Sequence, residues 1–223
     1  MRVAVCLHGL SMGKNDKGDT VSHLRAFRNM KKNILNVQDC DVFLHTWSGD
    51  EEQAESIIDL YKPCSSKFEK QIMFDDSPSK LHGVRSRWYS FKESVNLKAR
   101  HEEAQGFTYD FVFVTRFDNC FCTPLLFNQY LSDCFYSSNW EHPHSIKGFL
   151  DYWFFSGSKM MDDFSTLFDS LNGYLKNGHQ LSNHTLSKTH AQRLNFKMDT
   201  TKSEHQDFGL ERCIAGRLEE LCV

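Results

Sequence analysis

The chain has 223 residues, of which 40% are hydrophobic and 25% charged. That composition suits one globular α/β domain and excludes a disordered or fibrous chain. Lys and Arg number 26 against 29 Asp and Glu, a formal charge of -3, so the basic footprint of a nucleic-acid-binding domain is missing. The longest apolar run is the five residues Val3 to Leu7, far short of the roughly 20 that a membrane-spanning helix needs. Val3 to Leu7 is apolar but leads into Ser11, Lys14 and Asp16, which is not the pattern of a signal peptide. A cytoplasmic protein with no transmembrane segment and no nucleic-acid partner is expected.

In chain order, Arg2 to Leu7 reads as a buried strand that turns at His8-Gly9. A polar loop covers Ser11 to Asp19. From Thr20, apolar residues at Val21, Leu24, Phe27, Ile34 and Leu35 predict a helix ending near Asn36. Cys40 to Trp47 is the next strand. Glu51 to Tyr61 is a helix stopped by Pro63. Arg87 to Glu103 is a second amphipathic helix, closed by Gly106. Tyr109 to Thr115 is the clearest strand and delivers Arg116-Phe-Asp118. Asp133–Ser137 and Tyr152–Ser156 are further strands, Met160–Leu175 a helix, and Leu210–Leu221 a last one. Strands alternating with helices predict a mostly parallel sheet covered on both faces, in one domain spanning 1–223 with 177–223 as a polar C-terminal extension.

The eight cysteines do not read as a disulfide framework. Cys6, Cys40, Cys120, Cys122 and Cys134 lie in or beside apolar runs, where a reduced thiol acts as a small hydrophobe. Cys120-Phe-Cys122 has no second pair to complete a zinc site. Free thiols in a reducing compartment are expected.

Ligands of parallel α/β sheets collect beyond the carboxyl ends of the strands, and three predicted strands end in polar groups: His8-Gly9, Thr46-Trp47 and Arg116-Phe-Asp118. Arg116 and Asp118 share a strand face, so the guanidinium could meet a phosphate and the carboxylate a divalent metal. An ion pair between the two at a solvated strand end fits the same spacing. Gly9-Leu-Ser-Met-Gly13-Lys14-Asn15 sits where a phosphate-binding loop belongs, but it has three residues between the glycines where four are needed, and Asn15 where a hydroxyl is needed. Asp151, before an aromatic strand, is a candidate general base or a turn aspartate. Of the eleven histidines, His184 and His190 are six apart, not the spacing of two ligands on one helical face. His142-Pro-His144, in a loop, could bind a metal adventitiously or serve as surface or capping histidines. Asn183-His-Thr185 matches a glycosylation sequon, idle without a signal peptide. There is no Gly-x-Gly-x-x-Gly.

The order of these pieces is informative: Asp41-Val-Phe-Leu-His-Thr-Trp47, then Trp88-Tyr-Ser90, then Tyr109-Asp-Phe-Val-Phe-Val-Thr-Arg-Phe-Asp118, then Asp151-Tyr-Trp-Phe-Phe-Ser-Gly157. Over residues 2–170 it resembles small glycosyltransferase-like proteins of large DNA viruses, phages and bacterial surface-polysaccharide clusters. The resemblance implies a GT-A-like, Rossmann-type α/β sandwich and transfer of a sugar from a nucleotide-diphosphate sugar to a hydroxyl on a glycan or protein-linked glycan. In a viral setting the location would be the host cytoplasm. Carried across, His8, Gly9, Thr46, Trp47, Arg87, Arg116 and Asp118 would bind the donor. Asp118 would hold Mn²⁺ or Mg²⁺, and Asp151 and Arg116 would be catalytic. Arg116 stands where the family pattern has the first Asp of D-x-D, so an arginine could neutralise the diphosphate in place of the metal. Two alternatives remain: a catalytically inactive glycosyltransferase-fold scaffold, and a sulfuryl or phosphoryl transferase using Lys14.

Overall fold

The computed structural model describes residues 1–14, 18–48, 50–75, 77–78 and 80–211. Its elements are β1 (Val3–Leu10), β2 (Met12–Lys14), β3 (Thr20–Ser22), α1 (His23–Met30), β4 (Cys40–Trp47), α2 (Glu51–Tyr61), β5 (Ser65–Glu69), α3 (Leu81–Gln105), β6 (Phe111–Arg116), β7 (Asn119–Phe121), β8 (Phe135–Asn139), β9 (Trp153–Ser156), α4 (Ser158–Ser165), α5 (Leu167–Lys176), α6 (Asn183–Arg193), β10 (Met198–Ser203) and β11 (Phe208–Leu210). A π-helical turn, Lys31–Leu35, prolongs α1. The predicted helix at 210–221 lies outside the described residues beyond Glu211. Among the described residues no helix is long and apolar enough to cross a membrane.

Seven strands form one sheet in the order β10-β8-β9-β6-β1-β4-β5. All run the same way except β9, which is antiparallel to both β6 and β8. The expected mostly parallel α/β sandwich is what forms. The continuous apolar runs of the central strands follow from burial on both faces. Alternate residues serve opposite layers: Val3, Val5, Leu7, Phe111, Phe113, Trp153 and Phe155 pack on one side, and Ala4, Cys6, Val112, Val114 and Phe154 on the other. The first layer also takes Met30, Ile34, Ile57 and Tyr61 from the α1–α2 side, and the second takes Trp88, Phe91, Met161, Phe164 and Leu171 from α3, α4 and α5.

Helix α3 begins at Leu81, earlier than its apolar spacing predicts, because its sheet-facing row is not apolar. Ser86, Ser90, Ser94 and Lys98 recur every fourth residue and are all buried. Small serines let the helix lie close to β1 and β4, and each hydroxyl can bond locally. The row ends in a fully buried ammonium: Lys98 Nζ bonds Glu102 Oε2 at 2.8 Å, Ser158 Oγ at 2.6 Å and Asp162 Oδ1 at 2.6 Å.

Three expectations fail here. The loop after β1 is a hairpin of β2 and β3 that leads into α1 at His23. A phosphate-binding loop must pass from strand to helix N-terminus, so the Lys14 transferase reading loses its geometry. The predicted helix 160–175 is two helices that meet at Thr166. Cys6, Cys40, Cys64, Cys120 and Cys134 are free, but Cys122 is disulfide-bonded. Cys122 lies at the end of β7, half out of the core, so the thiol pattern no longer argues for a reducing compartment.

Lys98→Ala leaves the Glu102 and Asp162 carboxylates beside each other without their cation. Removing one partner of a buried pair costs about 3 kcal/mol, read as a lower urea midpoint at unchanged slope.

Candidate functional site

From β1 the chain builds outward through β4 to β5, then returns to place β6 on the other side of β1. The gap between the carboxyl ends of β1 and β6 is therefore the topological switch point, where open α/β sheets bind ligands. His8 and Arg116 face each other there in register. His8 follows Ala4 and Cys6 in the alternation and meets Phe91 of α3 edge-on at 5.3 Å. It is buried, and its Nδ1 has no hydrogen-bond partner among the described residues. Burial, then the charges of Arg87 and Arg116, hold the imidazole well below its ordinary pKa and so neutral.

Arg116 and Asp118 do share a face. Arg116 Nε donates to Asp118 Oδ1 at 2.8 Å and Nη2 to Oδ2 at 2.7 Å. The fork is bidentate and rigid, and the Tyr152 ring lies 5.7 Å from the guanidinium carbon. The Asp118 side chain is 3% exposed and that of Arg116 23%, so the arginine is the member that reaches solvent.

Because β9 is antiparallel, its entrance lies at the same sheet edge as the exits of its neighbours. That brings buried Asp151 beside Arg116. Arg87 Nε is 3.0 Å from Asp151 Oδ2, within ion-pair range though off the hydrogen-bond direction, and Arg87 Nη2 donates to the Asp151 carbonyl. His184 Nδ1 lies 3.0 Å from Asp151 Oδ1 and 2.7 Å from the Phe149 carbonyl. Two acceptors require the proton on Nδ1. Burial alone would raise the Asp151 pKa, but Arg87, His184 and Arg116 outweigh it and push the carboxyl far below its usual range. Gly148 permits this seat, since a Cβ there would come within 2.7 Å of the His184 backbone.

Two of the roles expected of these residues do not suit this arrangement. A base needs an accessible lone pair and a pKa near the working pH; Asp151 is buried and ion-paired, a charge anchor. Both Asp118 oxygens are engaged by Arg116, and among the described residues no group of three His, Cys, Asp or Glu side chains could hold a metal ion. Among the described residues the side chains therefore form no ready-made Mn²⁺ or Mg²⁺ site. The ion pair considered for Arg116 and Asp118 is the geometry that forms.

Gly9, Thr46 and Trp47 belong to an adjoining network. Gly9, at φ +98°, donates its N–H to Ser90 Oγ at 2.7 Å; Ser90 Oγ is 2.7 Å from His45 Nδ1, and His45 Nε2 is 2.8 Å from Glu69 Oε2. Burial lowers the His45 pKa against the pull of Glu69. A neutral ring then donates from Nε2 to Glu69 and accepts at Nδ1 from the serine. Thr46 Oγ1 donates to Ser11 Oγ at 2.8 Å, and Trp47 stacks on Tyr89 at 5.4 Å. The sequence pattern gave no site role to Ser90, Glu69, Tyr152 or His184. Tyr152 adjoins Asp151, but Ser90, Glu69 and His184 come from elements distant in the chain; of these only Ser90, in the buried serine row of α3, carries a local signal.

No protein-family model matches the chain, and no curated protein matches it. Among solved structures, the chain is similar to a protein from Desulfovibrio desulfuricans G20 provisionally described as a nucleotide-diphospho-sugar transferase. The TM-score is 0.50 at 13% identity, covering 91% of this chain and 80% of that one. At this identity the likeness is one of fold, and it matches the α/β sandwich described above.

His184 supplies a test of the Asp151 cluster. Burial would lower its pKa, but the hydrogen bond and charge of Asp151 raise it overall. The pair therefore stabilises fully below the ordinary imidazole pKa of about 6.5, and its contribution is lost as pH rises through the raised folded value. The stability advantage of the native chain over His184→Asn should be larger at pH 6 than at pH 9 in urea titrations. With the His184 side chain 37% exposed, the change is under about 1 kcal/mol; an advantage independent of pH would remove the ion pair.

Proposed function

We propose that the chain is a nucleotide-sugar-dependent glycosyltransferase whose donor diphosphate is met by arginine. The observation that carries this reading is the pairing of Arg116 with His8 across the switch point, backed by Arg87, in a fold shared with a nucleotide-diphospho-sugar transferase. Arg116 gives two of its five N–H donors to Asp118, which leaves the Nη1 edge outside the fork. Asp118 thus orients the guanidinium, as a carboxylate orients a ligand-binding group from behind. The unpartnered Nδ1 of His8 is a polar atom that a bound ligand or its water would satisfy.

In the transfer, the bond between the anomeric carbon and the diphosphate oxygen breaks and one to the acceptor hydroxyl oxygen forms. The negative charge that grows on the leaving diphosphate is stabilised by Arg116, held in place before the reaction starts. The acceptor proton passes to a base other than Asp151, whose carboxylate keeps Arg87 and His184 in position. The acceptor is a glycan or protein-linked glycan hydroxyl. One observation favours a second reading, an inactive binding protein of the same fold: both acidic residues of the cluster are already neutralised by protein cations.

Thermal denaturation with UDP-, GDP- and dTDP-sugars, each with Mn²⁺ and with chelator, separates the two. A donor at 100 times its Kd should stabilise the fold by about 2.7 kcal/mol, and the shift should persist in chelator. Arg116→Lys keeps the charge but loses the planar fork and should weaken binding about tenfold, while Lys14→Ala should change nothing. No shift with any donor would overturn the transferase reading and leave the binding protein.

A further inference from the structure

Beyond the arginine cluster, the same sheet edge carries a second concave site. β8 and β10 are parallel neighbours, and the antiparallel β9 between β8 and β6 gives β8 the direction of β6. Their carboxyl ends therefore open at the edge that holds Arg116. A cavity of about 240 Å³ lies there. Asn139 Nδ2 donates to Ser203 Oγ at 3.1 Å and ties the two strand ends together. Trp140, Glu141 and Glu204 line the opening.

The chemistry of this lining differs from that of the switch point. It offers an indole on which the His142 ring stacks at 5.2 Å, a second imidazole from His205, two carboxylates, an amide and a hydroxyl, and no Lys or Arg among the described lining residues. Lys202, next to Ser203 in the chain, turns its Nζ to Thr123 Oγ1 at 2.9 Å and towards Asp207 instead. Carboxylates accept hydrogen bonds and cannot donate them when ionised. A phosphate or carboxylate ligand would meet like charge here, whereas a ligand rich in O–H or N–H donors with an apolar ring face would be matched. The cavity also touches the arginine cluster. The Trp140 ring lies 4.8 Å from His184, the residue that pairs with Asp151.

We infer that this cavity is a saccharide subsite that takes a neutral or amine-bearing sugar ring and rejects acidic sugars. It rests on the transferase reading in one respect: the bound ring would belong to the acceptor. The donor's diphosphate stays with Arg116, and Trp140 and His184 connect the two sites.

The test uses the full chain at pH 8. Methyl glycosides of glucose, galactose, N-acetylglucosamine and glucosamine are titrated by saturation-transfer NMR, beside methyl glucuronide and glucose 6-phosphate. At least one neutral or amino glycoside should bind saturably, with both acidic sugars at least tenfold weaker. Trp140→Ala should weaken the neutral ligand about tenfold. Glu141→Gln and Glu204→Gln leave the indole in place and should narrow the gap between neutral and acidic sugars. The subsite is overturned by no saturable binding in the panel, by acidic sugars binding equally well, or by affinities unmoved in all three variants. Nucleotide-sugar stabilisation measured on the same samples keeps the two readings apart. Glycoside binding without any donor binding upholds the subsite and overturns the transferase. Donor binding without glycoside binding does the reverse.

Discussion

An isolated carboxylate buried like Asp151 would cost several kcal/mol of hydration, and the fold meets that demand with cations from two directions. Arg87 reaches it from α3, and His184 from the start of α6. Asp151 itself stands at the entrance of β9. Each partner therefore depends on the others being docked, so the cluster and the packing of α3 and α6 against the sheet are one cooperative unit. Next to it, the Arg116–Asp118 fork repeats the arrangement on a smaller scale. Groups held this way are preorganised for a ligand's charge, and for the same reason are ill suited to exchanging protons with one.

Strand direction explains why the cluster exists where it does. Six strands deliver their last residues to one edge of the sheet, and β9 alone delivers its first. An aspartate just before a strand is usually a turn residue. Here the reversal of β9 turns that position into the neighbour of Arg116. The same reversal restores the direction of β8 and β10, whose ends form the acidic cavity. One antiparallel strand thus separates the part of the edge that carries Arg116 and Arg87 from the part lined by Glu141 and Glu204.

The parts of the fold legible in the chain were those whose burial is uniform. β1, β4, β6 and β9 are apolar runs with both faces covered, and α2 has its acidic first turn and an aspartate cap. The parts that escaped were edges and mixed surfaces. β5 (Ser65–Glu69) and β10 (Met198–Ser203) are outer strands with half-exposed or exposed side chains, so neither shows an apolar run. Helix α6 carries four buried residues amid polar ones, too few for a clear stripe. The short β7 and β11 pair with each other across 87 to 91 residues of chain (Phe208 with Phe121, Leu210 with Asn119), and three residues hold no periodicity to read.

The sequence by itself determined that strands would alternate with helices, that several strand ends would be polar, and that Arg116 and Asp118 would share a face, because period and burial are local properties. Which polar ends meet was decided only by the tertiary structure. His8 lies beside Arg116 because β6 returns to the far side of β1, while Thr46 and Trp47 stay with Ser11 and Tyr89 one strand away. The protonation state of Asp151 was decided there too. A carboxylate's pKa is set by the charges brought within a few ångströms of it, and those belong to Arg87 and His184, residues that only the folded chain places at its side.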